Sequence, residues 1–340
     1  MRLLSLLLIT CLLHCQTPGT TATAPASPPH EVTKATDISW ASPRGFDLTM
    51  DVYTPQTDRK SYPVIVMYHG GGWLINTKSI MDEPAAYLAR HGEYVVCNVN
   101  YRLLGDLDNS VTMDEIVGDA FGGLLWVKEH IAEYGGDPDR IIVTGDSAGG
   151  HLAAMVATQG HRLSATGEFA APNYSFRPSY LPASGIPDGG VQVQAAILSY
   201  GAFDQLGSAL GGFETAGNVF WQMGGAEPRG ILGDDYTPTD DAERYRMVSP
   251  LYLIEPAATR DYPPMLLTVG SEDDLTTPAS IRTYIDKLEA AGHDDLQYWV
   301  HEGRPHAFLD SGRNEFLGTE FTRDAVPALD YMLAYLNERF

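Results

Sequence analysis

Basic residues are scarce: 22 lysines and arginines stand against 44 aspartates and glutamates, a formal net charge of -22 over 340 residues. So acidic a surface repels nucleic-acid phosphate and anionic lipid headgroups, which argues against nucleic acid as a partner. The acid is spread along the chain, so it reads as a solvated surface and not as a special binding tract. Cysteine is scarcer still. Of three, Cys11 and Cys15 lie inside or beside an apolar leader, and only Cys97 remains in the body, within the run Tyr94–Val99. One cysteine forms no intrachain disulfide, and Cys97 reads as a small buried strand residue rather than a nucleophile. No CxxC, HExxH or EF-hand spacing occurs, so no metal is implied, and the doublets Asp234-Asp235 and Asp240-Asp241 read as loop charges. There is no internal repeat, and no apolar run long enough to span a bilayer as a stable helix.

The longest such run, Leu3 to Leu13, follows one arginine and precedes a Thr/Ala/Pro-rich stretch, the pattern of a secretory signal. Residues 1–24 are therefore expected to be a signal peptide, 25–36 a tether and 37–340 the folded domain. Ala22-Thr-Ala24 suits ordinary cleavage; Leu12-Leu-His-Cys15 is similar to a bacterial lipoprotein site, with His14 where a small residue belongs. Export to the periplasm or the exterior is expected, and membrane attachment only through a lipid on Cys15.

With 44% apolar residues the body can bury a large core. Residues 46–53 alternate apolar and polar, as in a strand with one exposed face. The runs at 62–69, 94–101, 140–145, 193–200, 264–270 and 296–303 are short and nearly continuous, as in central strands covered on both sides. Helix-period segments lie between them, at Ile80–Arg90, Met113–Tyr134, Ala148–Thr158, Pro278–Ala291 and Ala325–Arg339. Alternation of this kind predicts an α/β fold, a mostly parallel central sheet flanked by helices. Two connections, 160–190 and 203–262, exceed a plain crossover and are expected to form a cap above the carboxyl ends of the strands.

Chemistry concentrates at "VTGDSAGGHLA", residues 143–153. A strand, then G-x-S-x-G, then a helix makes a nucleophile elbow: the turn is so sharp that side chains at Gly145 and Gly149 would collide with neighbouring backbone. It lifts the Ser147 hydroxyl to a helix N-terminus, where developing negative charge is favoured. A serine of this kind needs backbone donors. The loop "YHGGGWL" (68–74) supplies them at Gly71 and Gly72, with the N–H of Ala148 as a third; His69, at the loop's strand end, reads as a support. It also needs a base and an acid, which follow the serine in the order acid, histidine. Glu272, Asp273 and Asp274 follow one late strand and His306 the next, whereas His293 and His301 sit in a turn and within a strand.

These residues are similar to the hormone-sensitive-lipase-like branch of the α/β-hydrolase superfamily, which includes bacterial acetyl-ester and feruloyl-ester hydrolases. The resemblance is carried by His69-Gly-Gly-Gly-Trp73, Asn100-Tyr-Arg-Leu103, Asp137-Pro-Asp-Arg-Ile141, Gly145-Asp-Ser-Ala-Gly-Gly150, Gly270-Ser-Glu-Asp-Asp-Leu275 and His306-Ala-Phe308. It selects Asp273 by its offset from Gly270 and Leu275, and implies a cofactor-free Ser147–His306–Asp273 ester hydrolase acting on short-chain acyl esters, with acetyl or feruloyl esters of carbohydrates as the finer expectation. The stretch "LGDLDNSVTM" after Tyr-Arg-Leu departs from the family's acidic, proline-containing one, which bears on specificity. Two rivals remain. A prolyl-oligopeptidase-like peptidase would need a screening domain for which the chain has no room. A non-catalytic binding module would ordinarily have lost a member of the triad.

Overall fold

Eight strands pair into one sheet in the protein, a computed structural model of which describes residues 29–171 and 174–340. They are β1 (Glu31–Ala41), β2 (Leu48–Gln56), β3 (Tyr62–Tyr68), β4 (Val95–Val99), β5 (Gly136–Asp146), β6 (Ala195–Ser199), β7 (Met265–Gly270) and β8 (Leu296–His301). Their order across the sheet is β1-β2-β4-β3-β5-β6-β7-β8. Only β2 opposes its neighbours; from β4 across to β8 every pair is parallel. Five longer helices connect them: α1 (Asp82–His91), α2 (Met113–His130), α3 (Ala148–Gln159), α4 (Pro278–Ala290) and α5 (Val326–Asn337). The β-branched runs at β3, β4 and β6 are buried at every residue, as strands covered on both faces must be. Cys97 is among them, and burial pushes its thiol above its usual range.

Four expectations change. Residues 31–36 are not tether but the first half of β1, paired to β2 from Glu31↔Gln56 onward. Its side chains are mostly exposed, with only Trp40 buried, so it carries no periodic apolar signal. Strand β2 does not keep one face in solvent: Met50, Asp51, Val52 and Tyr53 are all buried. The polar residue that suggested an exposed face, Asp51, is instead paired with Lys78 at 2.7 Å and Lys34 at 2.9 Å. At the other end β8 is an edge strand, half-buried except at His301. The signal at 1–24 lies outside the described residues.

The fourth change concerns the cap. The first insertion does not rise over the strand ends but lies along the outer face of α2. A Cβ on Gly118 would stand 2.5 Å from Arg177 O, and one on Gly122 2.8 Å from Tyr180 N, so these two glycines make the groove that seats it. Ser179 donates to Asp119 and Tyr180 to Glu129. The second insertion packs against the glycine loop. Its short helices Gln205–Leu210, Val219–Met223 and Ala242–Met247 bring Phe220 against Gly72, and Phe213 edge-on to Trp73 at 5.6 Å. Arg229 fastens it to the segment after Tyr-Arg-Leu, donating to Leu104 O at 2.8 Å and Asn109 O at 2.6 Å.

Candidate active site

Ser147 stands between the end of β5 and the start of α3 with φ 51° and ψ -115°, a conformation that costs a non-glycine residue on the order of 1–3 kcal/mol and persists only where its surroundings impose it. Those surroundings are backbone. A Cβ on Gly145 would sit 2.9 Å from Tyr68 O, and one on Gly149 2.5 Å from the Tyr68 carbonyl carbon, so β3, β5 and α3 close on one another only through glycine. Ser147 N donates to Ser199 O at 2.9 Å, which ties the turn to β6.

The loops after β7 and β8 reach this turn. Ser147 Oγ lies 2.9 Å from His306 Nε2, and His306 Nδ1 lies 2.8 Å from Asp273 Oδ2. The carboxylate is acceptor-only, so Nδ1 carries the proton and Nε2 is left to accept from the serine. Asp273 is buried while Glu272 and Asp274 face solvent. Its other oxygen takes the N–H groups of Leu275 at 3.0 Å and Thr276 at 2.9 Å. His301 and His293 are elsewhere: one is 2.9 Å from Asp324 O, the other 2.8 Å from Glu255 O.

The glycine loop follows β3 with φ 119° at Gly71 and 58° at Gly72, the first beyond ordinary left-handed backbone and the second within it. No acceptor for the N–H of Gly71, Gly72 or Ala148 occurs among the described hydrogen bonds. His69 holds the loop, its Nδ1 2.8 Å from Gly70 O and its ring stacked on Tyr101 at 4.3 Å, while Tyr101 donates to His69 O at 2.6 Å. Burial lowers the His69 imidazole to about 4, so it stays neutral and serves as a strut. Tyr-Arg-Leu is thus explained: Tyr101 backs the loop, and buried Arg102 grips Asp119 of α2 with two contacts of 2.8 Å.

Sequence reasoning passed over three side chains here. Tyr200, at the end of β6 with φ 37°, sets its ring edge to His306 at 4.9 Å. Thr276 joins Asp273, as above. Asp146, buried next to Ser147, packs its carboxyl against Gly70, where an added Cβ would stand 3.1 Å from the carboxyl carbon. Burial, partly offset by His306, raises the Asp146 carboxyl to about 6; Asp310, half-buried and near Asp146, is pushed well above its usual range. A carboxyl that binds its proton more tightly when folded stabilises the fold below its unfolded value, 3.8, and that contribution is lost as the pH climbs through about 6. Asp146→Asn keeps the shape of the side chain without the titration. The Tm difference, variant minus wild type, should therefore rise between about pH 4 and about pH 7. A difference independent of pH would refute this.

A model of the BD-FAE family matches residues 50–288. The chain belongs to that family. The BD-FAE match starts within β2 and ends within α4, so it takes in the glycine loop, Ser147 and Asp273 and stops before His306. Among relatives, the carboxylesterase NlhH of Mycobacterium tuberculosis is 40% identical over 111 residues, 33% of this chain and 34% of that protein. The probable carboxylic ester hydrolase LipM of the same organism is 29% identical over 275 residues, 80% of this chain and 54% of that one. The chain thus spans between about a third and about half the length of these relatives. A propionate-bound esterase from Thermogutta terrifontis superposes with a TM-score of 0.60 at 24% identity, covering 92% of this chain and 95% of that one, which shows the α/β-hydrolase fold.

Proposed function

We propose that this BD-FAE family member is a serine carboxylic ester hydrolase. The observation that carries the reading is the continuous line from Asp273 Oδ2 through both nitrogens of His306 to Ser147 Oγ, with contacts of 2.8 and 2.9 Å. His306 takes the serine proton as Ser147 attacks the ester carbonyl, then returns it to the departing alcohol; water repeats the cycle on the acyl-enzyme. Asp273 fixes the tautomer and stabilises the imidazolium. The developing oxyanion is received by the N–H groups of Gly71, Gly72 and Ala148, assisted by the N-terminus of α3.

Short acyl groups are the acyl class that the resemblance to the hormone-sensitive-lipase-like branch implies. Acetyl and feruloyl esters of carbohydrates are the finer reading. The names of NlhH and LipM support ester hydrolysis as a class. Export through the 1–24 leader belongs to the same proposal; fractionation of cells making the full chain tests it, and purely cytoplasmic protein would refute it.

The decisive experiment is exposure to a fluorophosphonate followed by peptide mapping, alongside turnover of acetyl, butyryl, octanoyl and feruloyl esters. Modification of Ser147 and fastest turnover of the acetyl, butyryl or feruloyl ester are expected. An unlabelled protein would leave the binding-module reading standing, and a preference for octanoate would overturn the short-chain assignment.

A further inference from the structure

The hydroxyl of Thr276 lies where three parts of the site meet. Its Oγ1 is 2.8 Å from Tyr200 O, 3.2 Å from Asp273 Oδ2 and 3.2 Å from His306 Nδ1, and the residue is buried. A hydroxyl has one proton and two lone pairs. The shortest contact, to a carbonyl that can only accept, takes the proton. The lone pairs then face Nδ1–H, which already donates to Asp273 at 2.8 Å. One N–H is shared between a charged acceptor and a neutral one.

Two further features fix the hydroxyl there. The Thr276 N–H is bonded to Asp273 Oδ1 at 2.9 Å, so the side chain moves with the carboxylate. Tyr200, whose carbonyl holds the hydroxyl proton, has φ 37°, unfavourable for a bulky residue, and it also sets its ring edge against the imidazole. Strained backbone at such a point persists only where its surroundings over-determine it.

We propose that Thr276 is a positioning residue for the hydrolysis described above, on which this inference rests. As second acceptor for Nδ1–H it keeps the His306 ring in the plane that aims Nε2 at Ser147, and it stabilises the imidazolium formed when the serine gives up its proton. A ring held by Asp273 alone can rotate about that single hydrogen bond; two acceptors on one edge restrict the rotation.

Thr276→Val preserves shape and removes the hydroxyl; Thr276→Ser preserves the hydroxyl. For a short aryl ester, Thr276→Val should lower kcat about tenfold with KM changed by less than about twofold, the size expected for one hydrogen bond to a group that becomes charged. Its downfield Nδ1–H proton resonance should move or broaden, and Thr276→Ser should restore both. A merely structural hydroxyl would lower Tm and leave kcat and the resonance of the folded protein unchanged, which would overturn the proposal. So would a Thr276→Ser variant as impaired as Thr276→Val. Should the valine variant not fold, Thr276→Ala takes its place in the same comparison. Wild-type protein that neither turns over esters nor labels at Ser147 sinks the hydrolase reading; wild-type protein that does both, beside a valine variant of undiminished kcat, overturns the role of Thr276 alone.

Discussion

Ser147→Ala should reduce kcat/KM for a short acyl ester by a factor on the order of 10⁵–10⁶, while the melting temperature stays within a few degrees of wild type. Both halves of this expectation come from the site. Among the described residues the hydroxyl has one side-chain hydrogen bond, with His306, so its loss leaves no other of their buried groups unsatisfied. Alanine meets the same steric cost as serine at φ 51°, so the strain of the turn is unchanged. The amide donors and the imidazole remain, and they should keep the residual rate roughly 10³ above that in water. His306→Ala should be about as severe, and the double variant hardly worse than either single one, because nucleophile and base act as a unit. Steady-state rates on an activated acetyl ester, with Tm measured in parallel, give the answer. Near-normal turnover by either single variant would remove Ser147 and His306 from the chemistry.

That so much of this site is legible in the sequence follows from where steric and electronic demands are absolute. A serine at a strand-to-helix turn cannot be flanked by side chains, so Gly145 and Gly149 mark it. A loop whose amides must face a ligand adopts backbone that glycine tolerates, so Gly71 and Gly72 mark that loop. The order acid then histidine, with strands β7 and β8 ending just before, narrows the remaining partners to a few residues. Choosing Asp273 over Glu272 and Asp274 lay beyond composition or spacing, since three adjacent carboxylates read alike. The offset from Gly270 in the family pattern selected it, and in the fold it is the buried one of the three.

What was illegible was set by packing between distant segments. Strand β1 hides because an edge strand with exposed side chains lacks apolar alternation, and its partner β2 is disguised by the buried ion pairs of Asp51. The length of the first insertion points to a place above the strand ends, whereas Gly118 and Gly122 of α2 decide that it lies alongside that helix. Nothing about a glycine inside a helix says which segment will occupy the gap. Tyr200 and Thr276 are ordinary residue types at strand and loop ends, and they acquire meaning only when β6 and β7 lie side by side.

Gly149→Ala carries the second large effect, and its readout is stability. The methyl group would meet Tyr68 O, the Tyr68 carbonyl carbon at 2.5 Å and His69 O at 2.7 Å. None of these is the free end of a side chain. Each belongs to the backbone of β3 and the first residue of the glycine loop, so relief requires moving α3 away from the sheet. A loss of more than about 4 kcal/mol, or failure to accumulate as soluble protein, is expected, beyond the about 1–3 kcal/mol typical of one methylene forced into a core. Gly303→Ala is the control. It has φ 68° with nothing within 4 Å of the added carbon, so only backbone strain of about 1–2 kcal/mol should appear. Denaturant unfolding of both variants discriminates: equal, small losses would mean that α3 can slide on β3. The close approach of backbones at Gly149, which holds Ser147 above the sheet, would then not be the constraint that makes the motif.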